Sequence, residues 1–397
     1  MATSSEKNSL VSNENEGFLD QELCNKLREA INSSPIFSHE SKYLERYNLC
    51  CAVMDRLDTC VEYLNRHSEY PDSEVDFLVF MMFACMTIDA VKEILSELGV
   101  HDKKTPIYNS EKDYMFFKDI YVRSCIYNPD ADAPNDDKFF EYLRSLTFAH
   151  PFETSRPKFL KKDEKQYSPW VIANRIGAVF PECPDPVGVR IYTNQVEDTI
   201  DMRISFSLLK DYIKSRYDRL KSATAWAQEE VEQAIGSWKK TKVDRNKAPL
   251  DILIEIDQIL SSRYVSCYSC KDAIMYLGCE LTLEENRASV KQFRNAIISE
   301  LPAICDAVDA LNNELVEEIF DHIFMYPVKM HTMARYQLEK IFTSDDEWWA
   351  SRQADAFAAE FATKWVTIKA YDMPRNEIML LVQTACYLER REQEVTT

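Results

Sequence analysis

The sequence predicts a mainly α-helical protein carrying one small antiparallel β insertion, and three observations lead there. Only 6 of 397 residues are glycine, too few for turn-rich β architectures or for loops that cradle phosphate with backbone amides. Long stretches repeat apolar residues at three-four spacing, the period of an α-helix with one buried face. Alternation of period two is confined to one region, roughly 167–206, which marks it as strand.

Residues 1–16 are rich in Ser, Asn and Glu without periodicity and read as a mobile tail. Phe18, Leu23, Leu27 and Ile31 then recur at helical spacing. Between Ser41 and Arg66 the apolar positions Leu44, Tyr47, Cys50, Cys51, Met54, Leu57, Val61 and Leu64 form one stripe, expected of a long packing helix. The next helix, about Ser73 to Leu98, opens after Pro71 with Ser73 as cap and stops before Gly99. Its centre is apolar all round, which predicts a core helix. A shorter helix is expected over Glu111 to Cys125. The loop 128–137 holds four aspartates but lacks the glycine and terminal glutamate of an EF-hand. It reads as a solvated loop in which Asn135 or Asp136 caps the next helix.

Beyond the strands, one very long helix is expected from Ser207 to Trp238, with Leu209, Ile213, Arg216, Leu220, Ala223 and Ala227 on one side. Lys239, Lys240, Lys242, Arg245 and Lys247 then form a basic stretch, and Pro249 opens the next helix. Further helices are predicted over Leu250 to Leu260, Ser266 to Leu277, Leu283 to Ser299, Pro302 to Met325, Met330 to Phe342, Ser344 to Ala370 and Arg375 to Arg390. The expected organisation is a tail (1–16), a helical bundle (17–165), the β insertion (166–206), a long helix completing the bundle or forming a dimer arm (207–248), and a C-terminal helical domain (249–397).

The most informative stretch is Phe139-Phe140-Glu141-Tyr142-Leu143-Arg144-Ser145-Leu146-Thr147-Phe148-Ala149-His150-Pro151. Proline disfavours the α conformation in the residue before it, so the helix is expected to end near His150 and the imidazole to leave the spiral there. An arginine, five intervening residues, a histidine and a proline, preceded by three apolar-patterned helical segments, resemble the signature of HEPN domains. The resemblance covers roughly residues 17–160. It implies an all-helical bundle and a metal-independent endoribonuclease acting as a homodimer, with Arg144 and His150 as catalytic residues and toxin or antiviral-defence roles. Ser145 stands where family nucleases often carry Asn, Asp or His, and Asp89 is either a buried acid orienting Arg144 or a surface partner of Lys92. Plain chemistry agrees with such a site. Histidine suits proton transfer at the ribose 2′-hydroxyl and the leaving oxygen, arginine suits charge on phosphate, and two copies of each make a full set. The bland reading pairs Arg144 with Glu141 and sets His150 on the last helix carbonyls.

A net charge of −19 excludes a protein that coats nucleic acid nonspecifically. RNA contact is therefore expected at a local patch, Arg156, Lys158, Lys161 and Lys162, directly after the motif. No cofactor or metal is expected. Cys267 and Cys270 make a CxxC without four ligands and read as two buried thiols on a helix. His322 and His331 lack a third ligand, and Trp348, Trp349, Phe357, Phe361 and Trp365 read as core aromatics. The 12 cysteines, with no signal peptide, read as reduced thiols of a cytoplasmic protein. No apolar run reaches the roughly 20 residues that span a bilayer. Two other functions compete with the nuclease: an inactive HEPN-like dimer serving as an interaction module, possible partners including a protein regulator, and a helical adaptor in which the motif is coincidence. The C-terminal half is expected to regulate the activity or supply specificity.

Overall fold

The computed structural model describes residues 17–100, 111–152, 158–161, 164–173, 183–195 and 199–396, so the expected tail lies outside the described residues. The chain is mostly helical with a small antiparallel sheet, and it divides into two compact units, Met1–Val231 and Glu232–Thr397.

The first unit opens with α1 (Glu22–Asn32), α2 (Ile36–His39), α3 (Ser41–Arg66) and α4 (Glu74–Glu97). Helix α3 packs on α4 and buries Met54, Leu57, Val61 and Leu64, while at its start Tyr43 takes the inward place expected of Leu44, which is exposed. Ser73 caps α4 by accepting from the Asp76 N–H at 3.1 Å, and Gly99 stops it in the left-handed conformation at φ 74°. Phe77, Phe80, Met81, Ala84, Ile88, Val91 and Leu95 bury one face of α4. A 3-10 turn (Glu111–Tyr114), α5 (Lys118–Arg123), α6 (Asp136–Arg144) and a π-helical turn (Ser145–Ala149) follow.

The strands are β1 (Gln166–Tyr167), β2 (Val171–Ile172), β3 (Pro186–Thr193) and β4 (Ile200–Ser205). Central β3 pairs antiparallel with all three others, setting Val187 opposite Ile204, Val189 opposite Met202 and Ile191 opposite Ile200. These six alternating residues are buried, as period-two patterning predicts. Ser205 then starts α7 (Phe206–Tyr217), followed by α8 (Leu220–Trp238), which extends past the last residue of the unit.

The single helix expected over Ser207 to Trp238 is therefore two. No Gly or Pro lies at the break. Tight i to i+3 bonds from Arg219 N–H to the Arg216 carbonyl (3.1 Å) and from Lys221 N–H to the Asp218 carbonyl (3.1 Å) interrupt the α register. Just before them, Arg216 and Tyr217 are held in the core by long-range bonds to Asp137 (2.8 Å) and to the Asp20 carbonyl (2.7 Å).

The second unit contains α9 (Pro249–Ser262), α10 (Tyr268–Gly278), α11 (Arg287–Asp309), α12 (Asn313–Phe324), α13 (Thr332–Thr343), α14 (Glu347–Phe357) with a π turn (Ala358–Ala362), and α15 (Arg375–Thr396). Its core runs through Val290, Phe293, Ile297, Leu301, Ile304 and Val308 of α11. That stripe continues across Pro302, which sits on the exposed face, so α11 does not break where the proline predicted. It stops instead at Leu311, with φ 62°, and Asn312 caps α12. The helix expected from Ser344 to Ala370 ends at 362. Buried Asn286 accepts from the Thr367 N–H (2.7 Å) and donates to its carbonyl (2.8 Å), so the chain there bonds to a distant side chain in place of a helical turn.

Candidate functional site

Helix α6 is built from its N-terminus. Asn135 caps it, its side-chain oxygen accepting from the Lys138 N–H at 2.8 Å. Asp136 is fully buried and accepts from three successive amides, Met115 (2.8 Å), Phe116 (3.1 Å) and Phe117 (2.8 Å). Burial nonetheless pushes its carboxyl above the usual range, against the pull of those amides and of Arg216. Asp137 accepts from Arg216 Nε and from the Tyr212 hydroxyl, both at 2.8 Å, and Lys92 lies 3.8 Å away. Burial alone would raise the Asp137 carboxyl, but Arg216, Lys92 and Tyr212 outweigh it and hold it below the usual value. Both residues thus leave the solvated loop expected for them. The partners are 19 to 79 positions distant in sequence, so no local pattern announces them.

Asp137 and Arg144 are seven positions apart and share one face of α6; Asp89 and Lys92, three apart, share one face of α4. Each residue of one pair meets one of the other. Lys92 approaches Asp137, and Arg144 Nη1 donates to Asp89 Oδ2 at 3.2 Å. The arginine is therefore oriented by Asp89 and not by Glu141, and Lys92 does not pair with Asp89. Asp89 is not the buried acid of the sequence reading: its side chain is 57% exposed and that of Arg144 39%.

After Arg144 the helix widens. The His150 N–H donates to the Ser145 carbonyl at 2.7 Å, an i to i+5 closure that takes one more residue into the last turn. His150 then leaves the helix at φ −142°, ψ 58°, and is exposed, as the proline after it predicts. Among the described residues its imidazole makes no hydrogen bond or ion pair. The Pro151 carbonyl accepts from Ser168 N–H at 2.7 Å, tying the exit of the motif to the strand region. Ser145, the first residue of the π-helical turn, is buried. There it lines a cleft of about 790 Å³ with Asp130, Lys138, Glu141 and Lys158. Neither Arg144 nor His150 lines that cleft.

Of the expected phosphate-binding patch, Lys158 and Lys161 are exposed, while Arg156 and Lys162 lie outside the described residues. The later basic stretch is engaged within the second unit: Arg245 pairs with Asp306 (2.6 Å) and Asp309 (3.0 Å), and Lys247 with Glu255 (3.1 Å). Cys267 and Cys270 are buried, and the Cys267 sulfur accepts from the Cys270 N–H at 3.3 Å as the cap of α10. His331 caps α13. Phe357 is core, whereas Trp348 is 58% exposed and Trp365 donates to Glu389 at 2.9 Å. Among the described residues no helix is long and apolar enough to cross a membrane. Comparison with protein-family models, with curated proteins and with solved structures gave no match.

Proposed function

We propose that the first unit is a HEPN-like bundle and that the protein is a dimeric, metal-independent endoribonuclease cleaving single-stranded RNA to 2′,3′-cyclic phosphate ends. The observation that carries this reading is the half-exposed Arg144, aimed by Asp89 at 3.2 Å, beside a helix end that releases an exposed His150. In the proposed reaction one imidazole takes the 2′-hydroxyl proton and the oxygen attacks phosphorus. A second imidazole, from the other copy, protonates the leaving 5′-oxygen, and the guanidinium groups neutralise the charge that builds on the phosphoryl oxygens. Lys158 and Lys161 would hold flanking phosphates. The roles in defence, the cytoplasmic location and regulation by the second unit belong to the same proposal.

The test is incubation of purified protein with end-labelled single-stranded RNA in EDTA, beside Arg144→Ala and His150→Ala. Cleavage to cyclic phosphate ends that disappears in both variants is the expected result, with a bell-shaped pH profile if one imidazole must be neutral and another charged. Intact RNA with all three proteins would favour the second reading, an inactive dimeric interaction module. That reading draws on the Asp89 carboxylate already occupying Arg144 and on the net charge of −19.

A further inference from the structure

The inserted sheet has two faces of opposite character. Val187, Val189 and Ile191 of β3 and Ile200, Met202 and Ile204 of β4 point inward, so Arg190 and Tyr192 of β3, and Asp201 and Arg203 of β4, point outward. The register sets Tyr167 of β1 opposite Tyr192. It brings Trp170, just before β2, beside Arg190, whose N–H donates to the Trp170 carbonyl at 3.1 Å. Trp170 is 43% and Tyr192 41% exposed, with ring centroids 6.3 Å apart and planes at 81°. Rings at right angles do not cover one another's faces as a stacked pair does. The Arg190 guanidinium lies 5.1 Å over the indole, so what stays exposed of Trp170 is turned away from it. Single exposed aromatics are ordinary, but adjacent rings backed by an arginine on one sheet face are the arrangement on which unpaired bases stack.

We propose that this outward face holds the bases of single-stranded RNA. Charge favours that occupant. Asp201 is shared between Arg190, which meets it through Nε (2.5 Å) and Nη2 (2.8 Å), and Arg203 (2.8 Å), so these strands set two cations against one carboxylate. Lys165, two positions before Tyr167, adds a third cation on the same side of the chain, opposite to buried Gln166. In a chain of net charge −19 a positive, aromatic face is the exception, and phosphates are drawn to it. Stacking needs bases free of a partner strand, which selects single strands over duplex. Position favours the same ligand. Ser168, between Tyr167 and Trp170, donates its N–H to the Pro151 carbonyl at 2.7 Å, so the face is joined to the residue that follows His150. This inference rests on the RNA-cleaving reading in its choice of ligand, while its test reads binding alone.

The experiment is fluorescence anisotropy of a labelled 2′-O-methyl oligouridylate, which offers bases and phosphates but no 2′-hydroxyl to attack. It is titrated with the full-length protein and with Trp170→Ala, Tyr192→Ala and Trp170→Phe, and circular dichroism verifies folding. The expected result is binding by wild type, a loss of about five- to a hundredfold in each alanine variant, and a smaller loss in Trp170→Phe. The salt dependence should stay that of wild type, since the phosphate contacts that set it remain. No binding by wild type, or binding that both folded alanine variants leave unchanged, overturns the proposal and leaves the exposed rings to a protein partner. Cleavage is read separately on unmodified RNA. A wild type that binds as expected but never cuts keeps the face as an RNA site and removes the nuclease. Cutting by wild type and alanine variants alike, with unchanged binding, keeps the nuclease and removes the face.

Discussion

Arg216 has no exposed surface, and the charge that makes this tolerable is Asp137. Removing one partner of a buried pair leaves the other charged and desolvated, so Asp137→Ala is expected to cost about 3–5 kcal/mol in urea unfolding. Asp89→Ala breaks an ion pair whose two side chains are largely in water, and its expected cost is below about 1 kcal/mol. The same variant removes the orientation of Arg144, so RNA cleavage should fall by more than the stability does. The depressed carboxyl of Asp137 also fixes a sign. Its contribution is complete above the ordinary value of 3.8 and is lost as pH falls through its lowered folded value. Asp136 acts oppositely: its raised carboxyl relieves a cost as it takes up a proton. An unfolding series below about pH 4 should therefore show a steeper loss in wild type than in Asp137→Asn. At this scale the sequence was legible where the signal was local. Asn135 as cap and His150 as the residue leaving the helix can be inferred from neighbours within a few positions. The burial of Asp136 and Asp137 cannot, because their loop contains the residues of an ordinary solvated turn.

Among the elements, β3 depends on one glycine. Gly188 has φ 156°, and a Cβ there would run into the Met202 carbonyl oxygen of β4. Gly188→Ala is expected to destabilise the sheet by about 3 kcal/mol, read as a lowered unfolding midpoint with early loss of protection in β3 and β4 amides. In the second unit, Asn286→Ala strands the N–H and carbonyl of Thr367 that its amide satisfies, for a loss of about 2 kcal/mol. Element positions were legible from periodicity, and ends were legible where Ser73 and Gly99 mark them. The misplaced ends have two causes. Pro302 reads as a stop, yet on an exposed face it removes a single hydrogen bond while the apolar stripe beneath continues. The breaks at Asp218 and after Ala362 are set by tertiary bonds to Arg216, Tyr217 and Thr367, which no local window contains.

For the whole molecule, a site assembled from two copies has a particular genetic behaviour. His150→Ala protein mixed in excess with wild type is expected to lower cleavage below that of the same amount of wild type alone, since each mixed dimer holds only one intact imidazole. Cleavage that simply tracks the amount of wild type under conditions of subunit exchange would count against a shared site. The helical class, the inserted sheet and the motif helix could all be read from the residues in order. The buried side of α4 could not, since an all-round apolar pattern does not reveal which side the core leaves uncovered.

The bond between Asp137 and Arg216 also has a consequence for the order in which the protein is made. The two residues are 79 positions apart, so at about 5–20 residues per second a nascent chain carries Asp137 for roughly 4–16 s before its arginine has been synthesised. During that interval the helix bearing Arg144 lacks the buried ion pair between Asp137 and Arg216, and the ribosome holds a chain that has the motif but not that contact. Stalled chains ending at residue 205 should accordingly be cut by protease within α6, and chains extended through residue 240 should resist.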